Sequence, residues 1–169
     1  MIMKTRADYL ALRRDYEPHE ARLVIIAESP PISGLYFYDA AGKPSEQLFA
    51  AFMRLLGVAP TTKVEGLKEF QRRGWVLVDA TYEPIDKLRG QRRDAVIVCD
   101  YPLLRDDLMR FNGAPLVLIK ANVCKVLEPR LNADGFNVLN RGRAIYFPAH
   151  HWPKVFEQQF KIVVNGGYF

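Results

Sequence analysis

Apolar residues along the chain fall into two alternating kinds of segment. Short continuous runs occupy Leu23 to Ile26, Trp75 to Val78 and Leu116 to Ile119. Such runs are expected of strands covered on both faces of a parallel sheet. Between them, apolar positions recur at helical spacing. Arg6 to Tyr16 predicts an amphipathic helix burying Tyr9, Leu10 and Leu12. Ser45 reads as an N-cap for a helix carrying Leu48, Phe49, Phe52, Leu55 and Leu56, and Gly57 stops it. Thr62 to Arg73 predicts the next helix, ended by Gly74. The stretch Asp94 to Phe111 is open: Ala95 to Cys99 has strand composition, whereas Asp100 as cap and Pro102 in a first turn would start a helix. A helix from Ala121 towards Asn132 follows, with Pro129 expected to bend or shorten it. A last strand is expected within Phe136 to Phe147, and a helix from about Trp152 to Val164. This alternation predicts one α/β domain spanning residues 1–169, three-layer α/β/α with a four-stranded, mainly parallel central sheet.

Composition narrows the class only modestly. With 169 residues, 49% of them hydrophobic and 25% charged, the chain reads as ordinary globular protein. No run reaches membrane-spanning length, and Met1 to Asp15 is too charged for a secretory signal. The expectation is a cytoplasmic monomer with no membrane partner. Cys99 and Cys124 are too few for a metal cluster or a disulfide framework, so no metal or cofactor is expected and both are read as small core residues. A net charge of +5 tilts weakly towards a polyanionic partner. Arg89, Arg92 and Arg93, with Arg141 and Arg143, are its candidate contacts, although charge runs are as often a solvated face.

The densest chemistry lies in residues 22–38. The first predicted strand runs into Glu28, at the strand end where open α/β sheets form ligand crevices. Pro30 and Pro31 stiffen the exit. Gly34 permits a sharp reversal, and Tyr36, Phe37 and Tyr38 offer flat faces to a planar ligand. Neither a G-x-S-x-G elbow nor a phosphate-binding glycine loop is present, which disfavours a small α/β hydrolase acting on another substrate.

Ala27-Glu28-Ser29-Pro30-Pro31 resembles the first motif of the uracil-DNA glycosylase superfamily, where a strand ends in G-E-A-P-G or G-Q-D-P-Y and a stacking aromatic follows. Phe37 falls at that aromatic. Gly74 to Ala80 is similar to the family's second strand, Pro115 to Ile119 to its third, and Ile145 to Trp152 to its closing H-P-S segment. The family pattern favours a helix across most of Asp94 to Phe111. Three positions depart: Asp79 stands where asparagine is usual, Phe147 where the histidine is, and Ala149 where the serine is.

The resemblance implies a uracil-DNA-glycosylase-like domain that flips a deaminated or damaged base from DNA and hydrolyses its N-glycosidic bond in base-excision repair. Glu28 would orient water and oppose the sugar cation, with Phe37 stacking on the base and Tyr36 as its substitute. Asp79 would read the base edge, accepting where asparagine can also donate. His150 or His151 would stand in for the missing histidine, His150 as a catalytic donor to the leaving base and His151 as a base contact. Arg141 and Arg143 would lie along the phosphate backbone. Trp152 falls near the family's duplex wedge, or alternatively docks on the sheet as a helix-start aromatic. The eroded closing motif leaves a second expectation, a non-catalytic nucleic-acid binder on the same fold. A third, a small α/β hydrolase on another substrate, keeps the architecture alone.

Overall fold

A computed structural model describes residues 2–149 and 152–169, so the expectations for His150 and His151 lie outside the described residues. Three parallel strands form the sheet: β1 (Leu23–Ala27), β2 (Trp75–Asp79) and β3 (Leu116–Leu118), in the order β2-β1-β3. Leu23 pairs with Trp75 and Ala27 with Asp79, while Val24 pairs with Leu116. Every residue of the three strands is buried, which accounts for their unbroken apolar runs.

Strand alternation divides the core into two chemically different halves. Leu23, Ile25, Trp75, Leu77 and Val117 face an aromatic layer from α1 (Arg6–Arg14), α2 (Gln47–Leu55), α3 (Lys63–Arg72) and α6 (Pro153–Val163). Val24, Ile26, Val76, Val78, Leu116 and Leu118 face an aliphatic layer from α4 (Gly90–Leu108) and α5 (Ala121–Ala133). Each fully buried Ile, Leu or Phe contributes about 1.5–3 kcal/mol relative to exposure, so both layers are needed to hold the sheet. Gly66 lets α3 sit close on α2, since a Cβ there would meet the Phe49 ring at 2.4 Å.

The fourth expected strand is reduced to a single parallel bridge, Leu116 to Val138, so the sheet has three strands among the described residues. Leu116 N–H donates to Asn137 O, and Leu139 N–H donates to Leu116 O, both at 2.8 Å. Beyond that point the buried Asn140 side chain takes over the ladder. Its Oδ1 accepts from Leu118 N at 2.7 Å, and its Nδ2 donates to Leu118 O at 2.9 Å. Arg141 and Gly142 then adopt positive φ, 49° and 81°, and turn the chain away. A side-chain amide thus satisfies the edge that a longer strand would have covered.

Helix α4 begins at Gly90, well before Asp94, and Arg89 is its N-cap without a side-chain cap bond. Asp100 and Pro102 therefore lie inside the helix and do not start it. Pro102 is exposed, as is Val98 whose carbonyl loses its partner, so that carbonyl faces solvent. Pro129 is likewise exposed and α5 continues past it to Ala133. Glu46, and not Ser45, occupies the N-cap position of α2, without a side-chain cap bond. Cys99 is exposed, unlike Cys124, so only one of the two thiols is a core residue. No helix among the described residues is long and apolar enough to cross a membrane.

Candidate functional site

β1 and β3 stay paired to their carboxyl ends, where the chain leaving β1 passes to α2 and α3 on the aromatic face and the chain leaving β3 passes to α5 on the aliphatic face. Ligand crevices of open parallel sheets form at such points. Here a crevice of about 830 Å3 opens there, lined by Glu28, Tyr36, Phe37, Asp79, Lys120 and Phe147, among others. Glu28 follows β1, Asp79 ends β2 and Lys120 follows β3. The fold therefore brings together residues that lie far apart in sequence.

Glu28 is buried within a cluster of donors. Arg93 Nε, from the first turn of α4, donates to Oε2 at 2.7 Å, and its Nη2 donates to Oε1. Lys120 Nζ donates to Oε1 at 2.6 Å, and Asn122 Nδ2 donates to Oε2. Each carboxylate oxygen thus accepts two bonds, filling the four lone-pair sites of the group. Burial pushes the Glu28 carboxyl up, but the bonds from Arg93, Lys120 and Asn122 outweigh it and hold it below the usual carboxylate range. Glu28 is an anion fixed in place. Lys120 reaches it from an unusual backbone, φ 77°, with its N–H donating to Ile145 O at 2.7 Å. Its ammonium also lies 5.7 Å from the centre of the Phe147 ring.

Two buried groups beside the crevice are unsatisfied. Asp79 Oδ2 and the Tyr36 hydroxyl are both sealed from solvent, and neither has a hydrogen-bond partner. Burial raises the Asp79 carboxyl to about 7; Arg13 opposes that shift and Glu28 adds to it. Burial likewise raises Tyr36, which stays a neutral phenol. Arg13, fully buried on α1, anchors this side of the crevice from behind. It donates to both oxygens of Asp107 at 2.7 Å and to the Tyr82 hydroxyl at 2.8 Å.

Phe37 lines the crevice while packing into the aromatic layer, with ring centres 5.0 Å from Tyr38, 5.1 Å from Phe70 and 5.5 Å from Phe49. It forms part of the crevice floor. Phe147 is a second aromatic on the same crevice. Gly34, at φ 82°, closes the turn after Pro31 and presents Leu35 at the rim, 58% exposed.

Arg141 and Arg143 are exposed and do not line the crevice. Trp152 is 56% exposed at the N-cap of α6, so it is not docked on the sheet. Sequence reasoning missed Lys120 and Asn122, and it treated Arg93 only as part of a basic cluster. The signal for the first two was present, since they follow the third apolar run as Glu28 follows the first. Among the described residues, no group of histidine, cysteine and carboxylate side chains is arranged to hold a metal ion. Compared with known proteins, the chain matches no family model, no curated protein and no solved structure.

Proposed function

We propose that the protein is a divergent DNA glycosylase of the uracil-DNA glycosylase type, acting on a base turned out of DNA. The observation that carries this reading is the crevice at the strand ends that joins a fixed anion, Glu28, to an aromatic floor and to Asp79. N-glycosidic cleavage needs these parts. A flipped base is gripped by its edge and held against an aromatic face. Asp79 supplies the edge contact, and Phe37 and Phe147 the faces. As the bond breaks, positive charge develops on the sugar, and an anion that needs no reorganisation opposes it. Glu28 is such an anion. To orient water as well, it must exchange one of its four donors. Lys120, whose side chain is 29% exposed, is the most accessible of the two cations and the one that can turn towards a ligand.

The resemblance in Ala27 to Pro31 and the parallel path of residues 137–139 beside β3 support the four-segment glycosylase-like architecture and a role in base-excision repair. A second reading is favoured by one observation. The complete occupation of Glu28 suits a protein that binds a base without cleaving its bond. A base-release assay decides between them, using oligonucleotides that carry uracil, hypoxanthine or an oxidised purine. The glycosylase reading expects abasic product from at least one substrate. Binding without product on the whole panel would replace it with the binder.

A further inference from the structure

Lys120 is more than the pairing of Glu28 requires. Arg93 already reaches both carboxylate oxygens and neutralises the charge, and Asn122 adds a further donor. Lys120 brings a second cation to the same anion. It does so from a backbone that a non-glycine residue rarely adopts, φ 77° and ψ 133°. Such a conformation costs on the order of 1–3 kcal/mol, persists only where its surroundings enforce it, and gathers at functional sites. The surroundings here do enforce it. Lys120 N–H donates to Ile145 O at 2.7 Å, and its carbonyl accepts from Cys124 N at 3.1 Å in the first turn of α5. The outcome is an amine on the crevice lining, with a side chain 29% exposed and therefore open to a ligand. The other lysine of that lining, Lys43, is exposed in the loop before α2.

An amine can do what a guanidinium cannot, which is to bond to a carbonyl carbon. Hydrolysis of an N-glycosidic bond supplies one, because the abasic sugar opens its ring to an aldehyde at C1. That carbon is the one whose positive charge Glu28 opposes while the base departs. Lys120 Nζ, 2.6 Å from Glu28 Oε1, lies beside it.

We infer that Lys120 is the nucleophile of a second activity, forming an imine with the abasic sugar and opening the DNA strand there. The inference rests on the glycosylase reading for its substrate. Nζ sheds one proton to solvent and its electron pair joins C1, while the carbonyl pair moves to oxygen. The oxygen collects a second proton from Nζ, then the shed one, and leaves as water. An ammonium has become an iminium of equal charge in the same place, so Glu28 faces a cation throughout. The iminium then draws electrons from C2. A C2 proton passes to water, its bonding pair forms the C2–C3 double bond, and the 3′-phosphate leaves with the C3–O pair. Hydrolysis of the imine frees Lys120.

The test incubates the intact protein with an oligonucleotide carrying a preformed abasic site and sodium cyanoborohydride, which reduces the iminium to a stable amine. A covalent protein–DNA adduct is expected, mapped to Lys120 by mass spectrometry of its peptides, with strand cleavage when the reductant is omitted. Lys120→Arg keeps a cation beside Glu28 and forms no imine, so it should lose adduct and cleavage while its circular dichroism is unchanged. Mapping on the parent protein decides the matter even where the variant misfolds. An adduct on Lys43 or any other lysine would overturn the inference. No adduct, with base released from the panel above, would overturn it and leave the glycosylase reading standing. An adduct on Lys120 without base release would uphold the nucleophile and remove base excision. Neither adduct nor base release would remove both.

Discussion

The two carboxylates of the crevice lie one register position apart at the carboxyl ends of neighbouring strands, yet they are in opposite states. Glu28 accepts four hydrogen bonds and is held as an anion. Asp79 has an oxygen with no partner, and its carboxyl is pushed up to about 7. The protein has completed one site by itself and left the other open. A group whose bonds are all internal serves as a fixture. A buried group left without bonds persists only where something else compensates.

The largest expected effect breaks the fixed side. Glu28→Gln keeps the size of the side chain and removes its charge. In an active protein it should slow base release by on the order of 100-fold or more while DNA binding persists, as a single-turnover assay would show. An unchanged rate would mean that Glu28 only holds Arg93 and Lys120.

Stability against pH sharpens the contrast, because the two carboxyls carry opposite signs. The raised carboxyl of Asp79 keeps its proton in the folded chain after the unfolded chain has released it. Its presence therefore lowers stability progressively from about pH 4 to pH 7, and the cost is complete above that window. Asp79→Asn should gain on the parent as pH rises from about 4, reaching about 4 kcal/mol at pH 8, measured by urea unfolding. Glu28 behaves the other way. Its lowered carboxyl contributes stability above the ordinary carboxylate range, lost as acid protonates it. Glu28→Gln should therefore be less stable than the parent at pH 7, and the gap should close in acid.

A smaller effect tests the accessible arm of the cluster. Lys120→Met leaves Arg93 and Asn122 on Glu28, so stability should change by less than about 1 kcal/mol, as for a partly exposed ion pair. Nucleoside affinity should still change, since Lys120 lines the crevice. The smallest effect is electrostatic. Arg141→Ala with Arg143→Ala should flatten the salt dependence of DNA affinity by about two units of slope if each arginine meets a phosphate, and by none if they are only solvated.

Much of this architecture was legible. Continuous apolar runs marked all three strands nearly to the residue, because a strand buried on both faces leaves no polar position. The helix expected over Thr62 to Arg73 is α3, and the structure opens it with a capping box between Thr62 and Glu65. What was hidden depended on tertiary partners. Arg89 starts α4 without a side-chain cap, so no local signal announces it. The fourth strand failed because Asn140 pairs with β3 through its side chain, a substitution that composition cannot reveal. At the site, the positions of Glu28 and Asp79 were readable from strand ends. Their opposite states were not, since these follow from Arg93 sixty-five residues away and from donors that never reach Asp79.

The central claim is that the crevice at the strand ends receives nucleic acid. Amide chemical-shift mapping during titration with a short single-stranded oligonucleotide tests it most directly. The account predicts the largest changes at Glu28, Tyr36, Phe37, Asp79 and Lys120, and smaller ones along Arg141 to Ala144. Changes confined to the outer faces of α4 and α5, with the crevice silent, would contradict it.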